Sequence, residues 1–330
     1  MRRPPILADK VHGAPSAFRP ENLLREARRQ KGLPDRAAPA VCLLDPDGDI
    51  VRQLKADGRA RRDPAWACYH TELYRFDMAG REYGIIGCAV GAAFAVLVAE
   101  QLFASGCQLL LSMTSAGQLA TVGAEPPYFV LIDRALRDEG VSYHYLPPSD
   151  FSLAGADLLA TVDGVFAGLR APVVRGASWT TDAPFRETAA QIAVMRERGL
   201  LAVEMEAAGL YAFAEACGRP VLCFAHVTNQ MGQAGDFEKG EADGAVDALA
   251  VLDAAAYRLM KDRPSGFRAP RTSTWTARPA TRSIRDVEPA LWPDLASDEN
   301  VVGITNVAAS PGRLRGSPGS ASTAALSPPS

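Results

Sequence analysis

Two glutamates placed two residues apart, Glu204 and Glu206, are the first side chains of this sequence that suggest chemistry. They lie between two apolar runs in the stretch LLAVEMEAAGLYAFAEACG, residues 200–218. A buried carboxylate without a partner costs several kcal/mol, so either this seam is exposed or a polar group meets the acids. If a strand ends near Met205, Glu206 falls in the first turn of the next helix, where the helix dipole favours an acid. A carboxylate at a strand end can equally accept hydrogen bonds from the two neighbouring hydroxyls of a ribose.

The other residue types that commonly carry chemistry are scattered. The four histidines share no metal-ligand spacing and the six cysteines form no CxxC pair, so the sequence predicts no metal site. Isolated thiols, and a basic start without an apolar run behind it, indicate free cysteines in a cytoplasmic protein. A net charge of −3 gives no basis for binding nucleic acid or an anionic membrane.

Strands alternate with helices between about residues 38 and 263, the pattern of an α/β layer structure. Residues 83–99 carry no charge, but Gly87 and Gly91 punctuate the segment, which favours a strand and a buried helix over a membrane span. The sequence predicts strands at 41–44, 66–76, 81–87, 108–113, 127–132, 172–179, 201–205 and 221–227, and helices at 91–105, 187–198, 207–217 and 241–261.

Composition divides the chain into three parts. Residues 1–37 form an N-terminal extension with a short helix that begins at Pro20 and ends at Gly32. Residues 38–263 form one α/β domain. Residues 264–330 are rich in Pro, Ser, Gly, Arg and Ala, with few aliphatic residues in register, so burial cannot offset the entropy of ordering them and disorder is predicted.

The VEMEAAG segment closely resembles the VEMEA and YEMES signatures of the nucleoside phosphorylase superfamily, which includes purine nucleoside phosphorylase, uridine phosphorylase and methylthioadenosine nucleosidase. Five more segments resemble that family's motifs in the same order, across about residues 38–263. They are LLDPDG at 43–48 (first phosphate loop), GCAVG at 87–91 (Gly-rich turn), SMTSAG at 112–117 (the nucleosidase NTGSAGGL segment), TDAPF at 181–185 (base pocket) and VTN at 227–229 (VSD or VNR). A dinucleotide site is disfavoured because GCAVG lacks the GxGxxG spacing.

The resemblance implies a single-domain, three-layer α/β/α fold around a central mixed sheet, assembled as a homo-oligomer. It implies cleavage of the N-glycosidic bond of a nucleoside by phosphate or water, without an organic cofactor. Since the transition state is oxocarbenium-like, the site must hold the sugar, stabilise its charge and help the base to leave. Glu206 matches the carboxylate that binds the 2′- and 3′-hydroxyls, Met205 the residue that packs under the sugar, and Glu204 the first glutamate of the signature. His70 is a candidate for the 5′-end of the sugar.

For the base, the resemblance implies Phe185, or Pro184 if the register shifts by one, together with Asp182 and Asn229. Purine-specific relatives commonly carry an aspartate where this chain has Asn229, and an asparagine donates a hydrogen bond but has no proton to transfer. The site is therefore more similar to uridine phosphorylase. Arg186, in APFRET, is a candidate for holding a pyrimidine.

The expected phosphate site departs most from the family pattern. Ser115, Thr114 and Gly91 remain as candidate phosphate-binding residues. The two usual phosphate arginines are replaced by Gly48 and Ser112, which removes the strongest charge-assisted contacts. Three arginines are candidates to supply the missing charge: Arg52, Arg175 and Arg186.

Three functions are compatible with these residues. The one we expect is a nucleoside phosphorylase, a pentosyltransferase whose small-molecule partners are a nucleoside and phosphate. The second is a nucleosidase-type hydrolase, in which Asp45 or Asp47 is the nearest carboxylate to activate water. The third is a non-catalytic nucleoside-binding protein.

Overall fold

A mixed β-sheet positions every segment that the sequence marks as functional. In the computed structural model, residues 4–230 and 241–261 are described, except for the side chains of residues 229, 230, 241 and 242. The described strands are β1 (Val41–Asp45), β2 (Arg61–Arg62), β3 (Tyr74–Met78), β4 (Arg81–Gly87), β5 (Leu109–Gln118), β6 (Tyr128–Asp138), β7 (Phe151–Leu153), β8 (Val173–Thr181), β9 (Ala202–Glu204) and β10 (Val221–Gln230).

The sheet combines an open part with a closed part. Its order is β10-β6-β8-β9-β5-β1-β4-β3-β2, with β7 beside β6. Because β10 also pairs with β5, the strands β5, β10, β6, β8 and β9 close into a ring, while β1, β4, β3 and β2 extend from it. Parallel pairs (β1 with β4 and β5) and antiparallel pairs (β3 with β4, β5 with β9) both occur, which confirms the mixed sheet.

Two groups of helices pack on this sheet. In one, α3 (Ala92–Ala104) and α7 (Ala207–Cys217) contact each other, α1 (Pro20–Lys31) contacts α3, and α4 (Ser142–Tyr145) contacts α7. In the other, α8 (Ala245–Lys261) contacts α2 (Asp49–Ala56) and α5 (Ala156–Thr161). A further helix, α6 (Ala189–Glu197), packs through Ile192 and Met195 on a smaller cluster around Trp179. None of the described helices is long and apolar enough to cross a membrane.

Most predicted elements are confirmed, and the differences have local causes. The strand predicted over 66–76 is wrong in its first half, since β3 begins at Tyr74. Trp66 Nε1 donates to Thr71 Oγ1 at 3.0 Å, a contact that an extended chain, rising about 3.3 Å per residue, would not allow across five residues. The predicted start of the last helix at 241 is a 3₁₀ turn, Glu241–Gly244, and α8 follows it. The predicted tail, 264–330, lies outside the described residues.

Tyr211, on α7, holds the sheet where two of its strands separate. β10 and β6 pair from Val227 with Tyr128 to Phe224 with Leu131 and then part. The next opposed residues are Cys223 and Ile132. The buried phenol hydroxyl of Tyr211 lies between them, accepting from Cys223 N at 2.9 Å and donating to Ile132 O at 2.6 Å. One side chain of the helix layer therefore supplies the hydrogen bonds that the two strands no longer give each other.

We expect Tyr211→Phe to destabilise the fold by about 1–3 kcal/mol, because a buried N–H and a buried C=O lose their partner. The free energy of unfolding in urea measures the effect. Tyr257→Phe is the matched control, since Tyr257 is exposed on α8. Equal stability of the two variants would show that the phenol bridge contributes nothing.

Candidate active site

The candidate site lies beside the middle of β5, where that strand changes partners. On one side, β5 pairs with β10 along most of its length. On the other, β1 pairs with Leu109 to Ser112 and β9 with Gly117 and Gln118. On that side, residues 113–116 have no partner among the described strands, so their backbone can meet side chains. Ligands of open α/β sheets commonly bind at such points where the strand connections diverge.

Glu206 fills part of this gap. It precedes α7 as its N-cap residue, yet its side chain makes no capping hydrogen bond to that helix. Oε1 instead accepts from the backbone N–H of Gly91 at 2.7 Å, and Oε2 accepts from Thr114 Oγ1 at 2.9 Å. Gly91 has φ 88°, a left-handed conformation that favours glycine, and this turn aims its N–H at the carboxylate. The residue is 2% exposed, so Glu206 is a buried acid with two donors from its own chain.

Glu204, rather than Glu206, caps the N-terminus of α7. Its Oε2 accepts from the backbone N–H groups of Glu206 and Ala207, both at 2.7 Å. Its Oε1 accepts from Ser178 Oγ at 2.9 Å and from Thr180 Oγ1, and the Thr180 hydroxyl also accepts from Ala208 N at 3.0 Å. Glu204 thus joins β8, β9 and the first turn of α7, and most of its acceptor capacity is used within the chain.

The two glutamates raise each other's cost of ionisation. Burial raises the pKa of Glu206 to about 8, and the neighbouring Glu204 carboxylate adds to the rise. Burial also raises the pKa of Glu204, against the opposing effect of its four hydrogen bonds. A charged or polar ligand that binds here therefore changes the protonation of both Glu204 and Glu206, because the two carboxyl groups interact.

The turn after β1, residues 45–49, is rich in aspartate and lies on the other side of the space beside residues 113–116. Asp45 ends β1 and is buried, with its carboxylate accepting from Gly48 N at 3.2 Å and Val51 N at 2.9 Å. Burial raises the pKa of Asp45 to about 7. Asp47 is exposed, and its Oδ2 accepts from the backbone N–H of Ser115 at 2.6 Å. The N–H that β5 leaves unpaired is thus bound by a carboxylate.

A small pocket opens between this turn, β5 and the start of α8. Its side chains are mostly acidic or polar, and His226 of β10 contributes an aromatic wall, stacked on Phe129 at 4.7 Å between ring centroids. The lining residues are Asp45, Asp47, Asp49, Ile50, Met113, Thr114, Ser115, His226, Asp243, Gly244, Ala245 and Ala248. In the described part of the chain, no group of three or more His, Cys, Asp or Glu side chains could hold a metal ion.

Comparison with known proteins identifies the family of this fold. A family model described as the phosphorylase superfamily matches residues 41–259, well over half of the chain. The chain belongs to the phosphorylase superfamily. No curated protein sequence matches it.

Two solved structures similar to this superfamily member are crystal structures of uridine phosphorylase from Vibrio fischeri ES114. The one in complex with 6-hydroxy-1-naphthoic acid has a TM-score of 0.57 and 18% identity, covering 68% of this chain and 92% of that chain. The other has a TM-score of 0.54 and 17% identity, with the same coverage. At these identities, the likeness shows a common fold.

The positions expected to carry the superfamily's phosphate arginines cannot carry such a side chain here without rearrangement. Gly48 has φ 78°, and a Cβ on it would lie 2.8 Å from Cys88 Sγ. Ser112 is buried in the centre of the sheet between β1 and β10, and its hydroxyl has no hydrogen-bond partner in the described residues. The backbone conformation at Gly48 and the burial of Ser112 therefore each favour the small residue that the sequence has.

The candidate replacement arginines differ in their positions. Arg52 pairs with Asp49 on α2. Arg175 pairs with Asp133 at 3.2 Å near the beginning of β8, whereas the Glu204 network contacts Ser178 and Thr180 nearer the end of that strand. Arg186 lies in the 3₁₀ helix Pro184–Arg186, and its side chain makes no ion pair with the described residues. Among the described residues, none of the three forms a hydrogen bond with Ser115.

Two residues predicted to meet the base, Phe185 and Asp182, lie on the segment after β8. Phe185 is 99% exposed. Asp182 is exposed and accepts from Gly140 N at 2.8 Å. Trp179 is buried, and its indole N–H donates to Asp138 at 2.9 Å. Met205 is half-buried between the two glutamates.

His70 stands apart from this network, and Asn229 is described through its backbone alone. His70 is exposed before β3, and its contacts in the described residues are with Cys68 and Tyr69. The backbone of Asn229 continues β10 beside Gly117, after an irregularity that follows Val227, but its side chain is outside the described atoms. The sequence analysis assigned no role in the site to His226. Its position three residues before Asn229, directly before the VTN motif, is the feature that could have identified it.

We expect the stability of the ligand-free protein to depend on pH through Glu206. Its pKa is raised from 4.5 unfolded to about 8 folded, so its contribution is complete below about pH 4.5 and is lost as pH rises to about 8. One pKa unit is about 1.4 kcal/mol, so the loss amounts to several kcal/mol. Urea unfolding across this range should show a steeper fall for wild type than for Glu206→Gln.

Glu215→Gln is the matched control, because Glu215 is exposed on the same helix. It should keep the wild-type slope. A wild-type slope in Glu206→Gln as well would mean that Glu206 ionises normally in the folded protein.

Proposed function

We propose that the protein hydrolyses the N-glycosidic bond of a ribonucleoside, with water as the nucleophile. One observation carries this proposal: the donors expected to bind phosphate already bind carboxylates of the chain. Ser115 N–H donates to Asp47, and Gly91 N–H and the Thr114 hydroxyl both donate to Glu206. A phosphate would have to displace two carboxylates to find the same donors, whereas water needs no anion site.

Charge in the pocket supports the same conclusion. Four aspartates line it: Asp45 at the end of β1, Asp47 and Asp49 in the turn and helix that follow, and Asp243 before α8. Two unit charges 4 Å apart interact by about 4 kcal/mol at the effective dielectric constant of a protein surface, about 20. Asp47, which forms no ion pair with the described residues, therefore repels an incoming phosphate, whereas its carboxylate stabilises the oxocarbenium charge that develops on the sugar.

The sugar is proposed to bind at Glu206. Each of its carboxylate oxygens accepts one hydrogen bond within the chain, and each retains a further acceptor position for a ribose hydroxyl. Met205 is the proposed apolar surface beneath the ring. Glu204 is proposed to act indirectly, since its bonds to the N–H groups of Glu206 and Ala207 fix the backbone that carries Glu206.

The proposed reaction uses the carboxylate of Asp47 as the proton acceptor. A water oxygen bonds to C1′ as the C1′–N bond breaks, and the electron pair of that bond leaves with the base. One water proton passes to the Asp47 carboxylate and then to solvent, and the base takes up a proton at the nitrogen that was bonded to C1′. Free ribose and free base are the products.

The base is proposed to lie against the segment that follows β8. Phe185 offers a fully exposed aromatic face there, and Asp182, Arg186 and Asn229 are the proposed polar partners. Asparagine and arginine both donate hydrogen bonds to carbonyl oxygens, which suits a pyrimidine.

Phosphorolysis is the second candidate. Two observations favour it. The Ser115 hydroxyl lines the pocket without a hydrogen bond to the described residues, and the chain belongs to the phosphorylase superfamily. In this mechanism Arg186 would have to approach the pocket with the substrate.

Incubation with a panel of purine and pyrimidine ribonucleosides tests the proposal. We expect free ribose to appear at a rate that does not change when phosphate is added. Chromatography of the base and phosphorus NMR of the sugar products measure both outcomes. At a pH above about 8, where Glu206 is ionised, Glu206→Gln should lower kcat/KM by about tenfold or more, because a charge-assisted hydrogen bond is worth about 1.5–3 kcal/mol, while Glu215→Gln should not change it. Ribose 1-phosphate as the main product would refute hydrolysis.

A substitution at Phe185 tests the position of the base. Because this side chain is fully exposed, Phe185→Ala should leave the melting temperature unchanged while raising KM for the cleaved nucleoside several-fold. Val194→Ala, at an exposed residue of α6, is the control for loss of apolar surface. Unchanged KM in Phe185→Ala would place the base elsewhere.

A further inference from the structure

We infer that Asp47 is the residue that selects water over phosphate, because its carboxylate is an internal anion bound where a phosphate oxygen would bind. This inference deepens the proposed hydrolysis and rests on it. It assigns to one side chain the choice of nucleophile, whereas the proposed function concerns the reaction itself.

The contact between Asp47 and Ser115 has the geometry of an anion held by an amide. Its N–O distance of 2.6 Å is short, as expected when the acceptor is ionised. Ser115 lies in the part of β5 that has no strand partner on this side, so its N–H is available to an external anion once Asp47 is removed. The neighbouring Thr114 hydroxyl points to Glu206, which makes the Ser115 amide the donor that Asp47 controls.

The backbone around Asp47 holds the carboxylate in place. Gly48 N donates to Asp45 O at 3.0 Å, and Cys88 N donates to the same carbonyl at 3.0 Å, so the turn is fixed to the loop after β4. Pro46 restricts φ within the turn. The side chain of Asp47 therefore reaches Ser115 from a rigid turn, and phosphate has to compete with a partner that is already positioned.

The charges around this contact do not compensate the anion. Arg52, the nearby base on α2, is paired with Asp49. Within the described residues, Asp47 forms no ion pair of its own. Removing the carboxylate of Asp47 thus both frees the amide and lowers the negative charge of the pocket.

Two substitutions separate these effects. Asp47→Ala frees the Ser115 amide and removes the charge. Asp47→Asn removes the charge but leaves an amide oxygen that can still accept from Ser115 N–H. Asp57→Asn, which removes one exposed charge at the other end of α2, is the matched control.

The first readout is binding of inorganic phosphate, measured by isothermal calorimetry and by the shift of the melting temperature at constant ionic strength. We expect no binding to wild type or Asp57→Asn and clear binding to Asp47→Ala, with an affinity at least about tenfold above that of wild type. Asp47→Asn should fall between them. Circular dichroism of each variant without phosphate establishes that it is folded.

The second readout is the product formed from the cleaved nucleoside, which separates the inference from the proposed function. Ribose 1-phosphate from wild type would overturn both. Free ribose from wild type, together with no phosphate binding by either Asp47 variant, would overturn the inference alone. Phosphate binding by wild type as strong as by Asp47→Ala would also overturn it, whatever the products are. Phosphate binding by Asp47→Ala, accompanied by ribose 1-phosphate, would support it.

Discussion

The carboxylate of Glu204 is the contact on which the arrangement of the site depends. It accepts hydrogen bonds from two hydroxyls of β8 and from two backbone N–H groups at the start of α7. Because these four donors come from different elements, the acid fixes the position of the strand, the helix and the residue between them. Glu206 can turn away from its own helix because Glu204 has already satisfied the helix N-terminus.

The exchange of partners along β5 explains why polar groups collect at this place. Where β1 has ended and β9 has not yet begun, the backbone of residues 113–116 needs hydrogen-bond partners other than a strand. The turn after β1 supplies Asp47, and the segment after β9 supplies Glu206 to the side chain of Thr114. The same irregularity of the sheet thus creates both the space for a ligand and the demand for acceptors around it.

Much of the fold could be predicted from periodicity, since β1, β4, α3, α7 and α8 have long apolar faces. The membership of the family could be predicted from the VEMEAAG segment and the order of the weaker motifs. The helix α2 was missed because it starts directly after Asp-Pro-Asp-Gly, a strong turn signal, although Ile50, Val51 and Leu54 are buried.

The contacts that define the site were beyond sequence reasoning. Asp47 and Ser115 are 68 residues apart, and the hydroxyls that engage Glu204 come from a strand more than twenty residues earlier. Residues 114–118 have a composition of small and polar residues that gives little strand propensity, and β5 extends through them because β10 and β9 pair with it. Pairing of distant segments, which no local pattern contains, decided these features.

The position of the aspartate-rich turn at the N-terminus of α2 has a further consequence. The peptide dipoles of a helix place partial positive charge at its beginning, so acids there stabilise the fold and a guanidinium opposes it. Asp49 lies in the first turn and contributes to this stabilisation, and Asp45 accepts a hydrogen bond from Val51 N. In this loop, folding stability and the proposed rejection of an anionic co-substrate favour the same residues. An evolutionary path towards an arginine at this place would therefore lose stability before any bound phosphate could restore it.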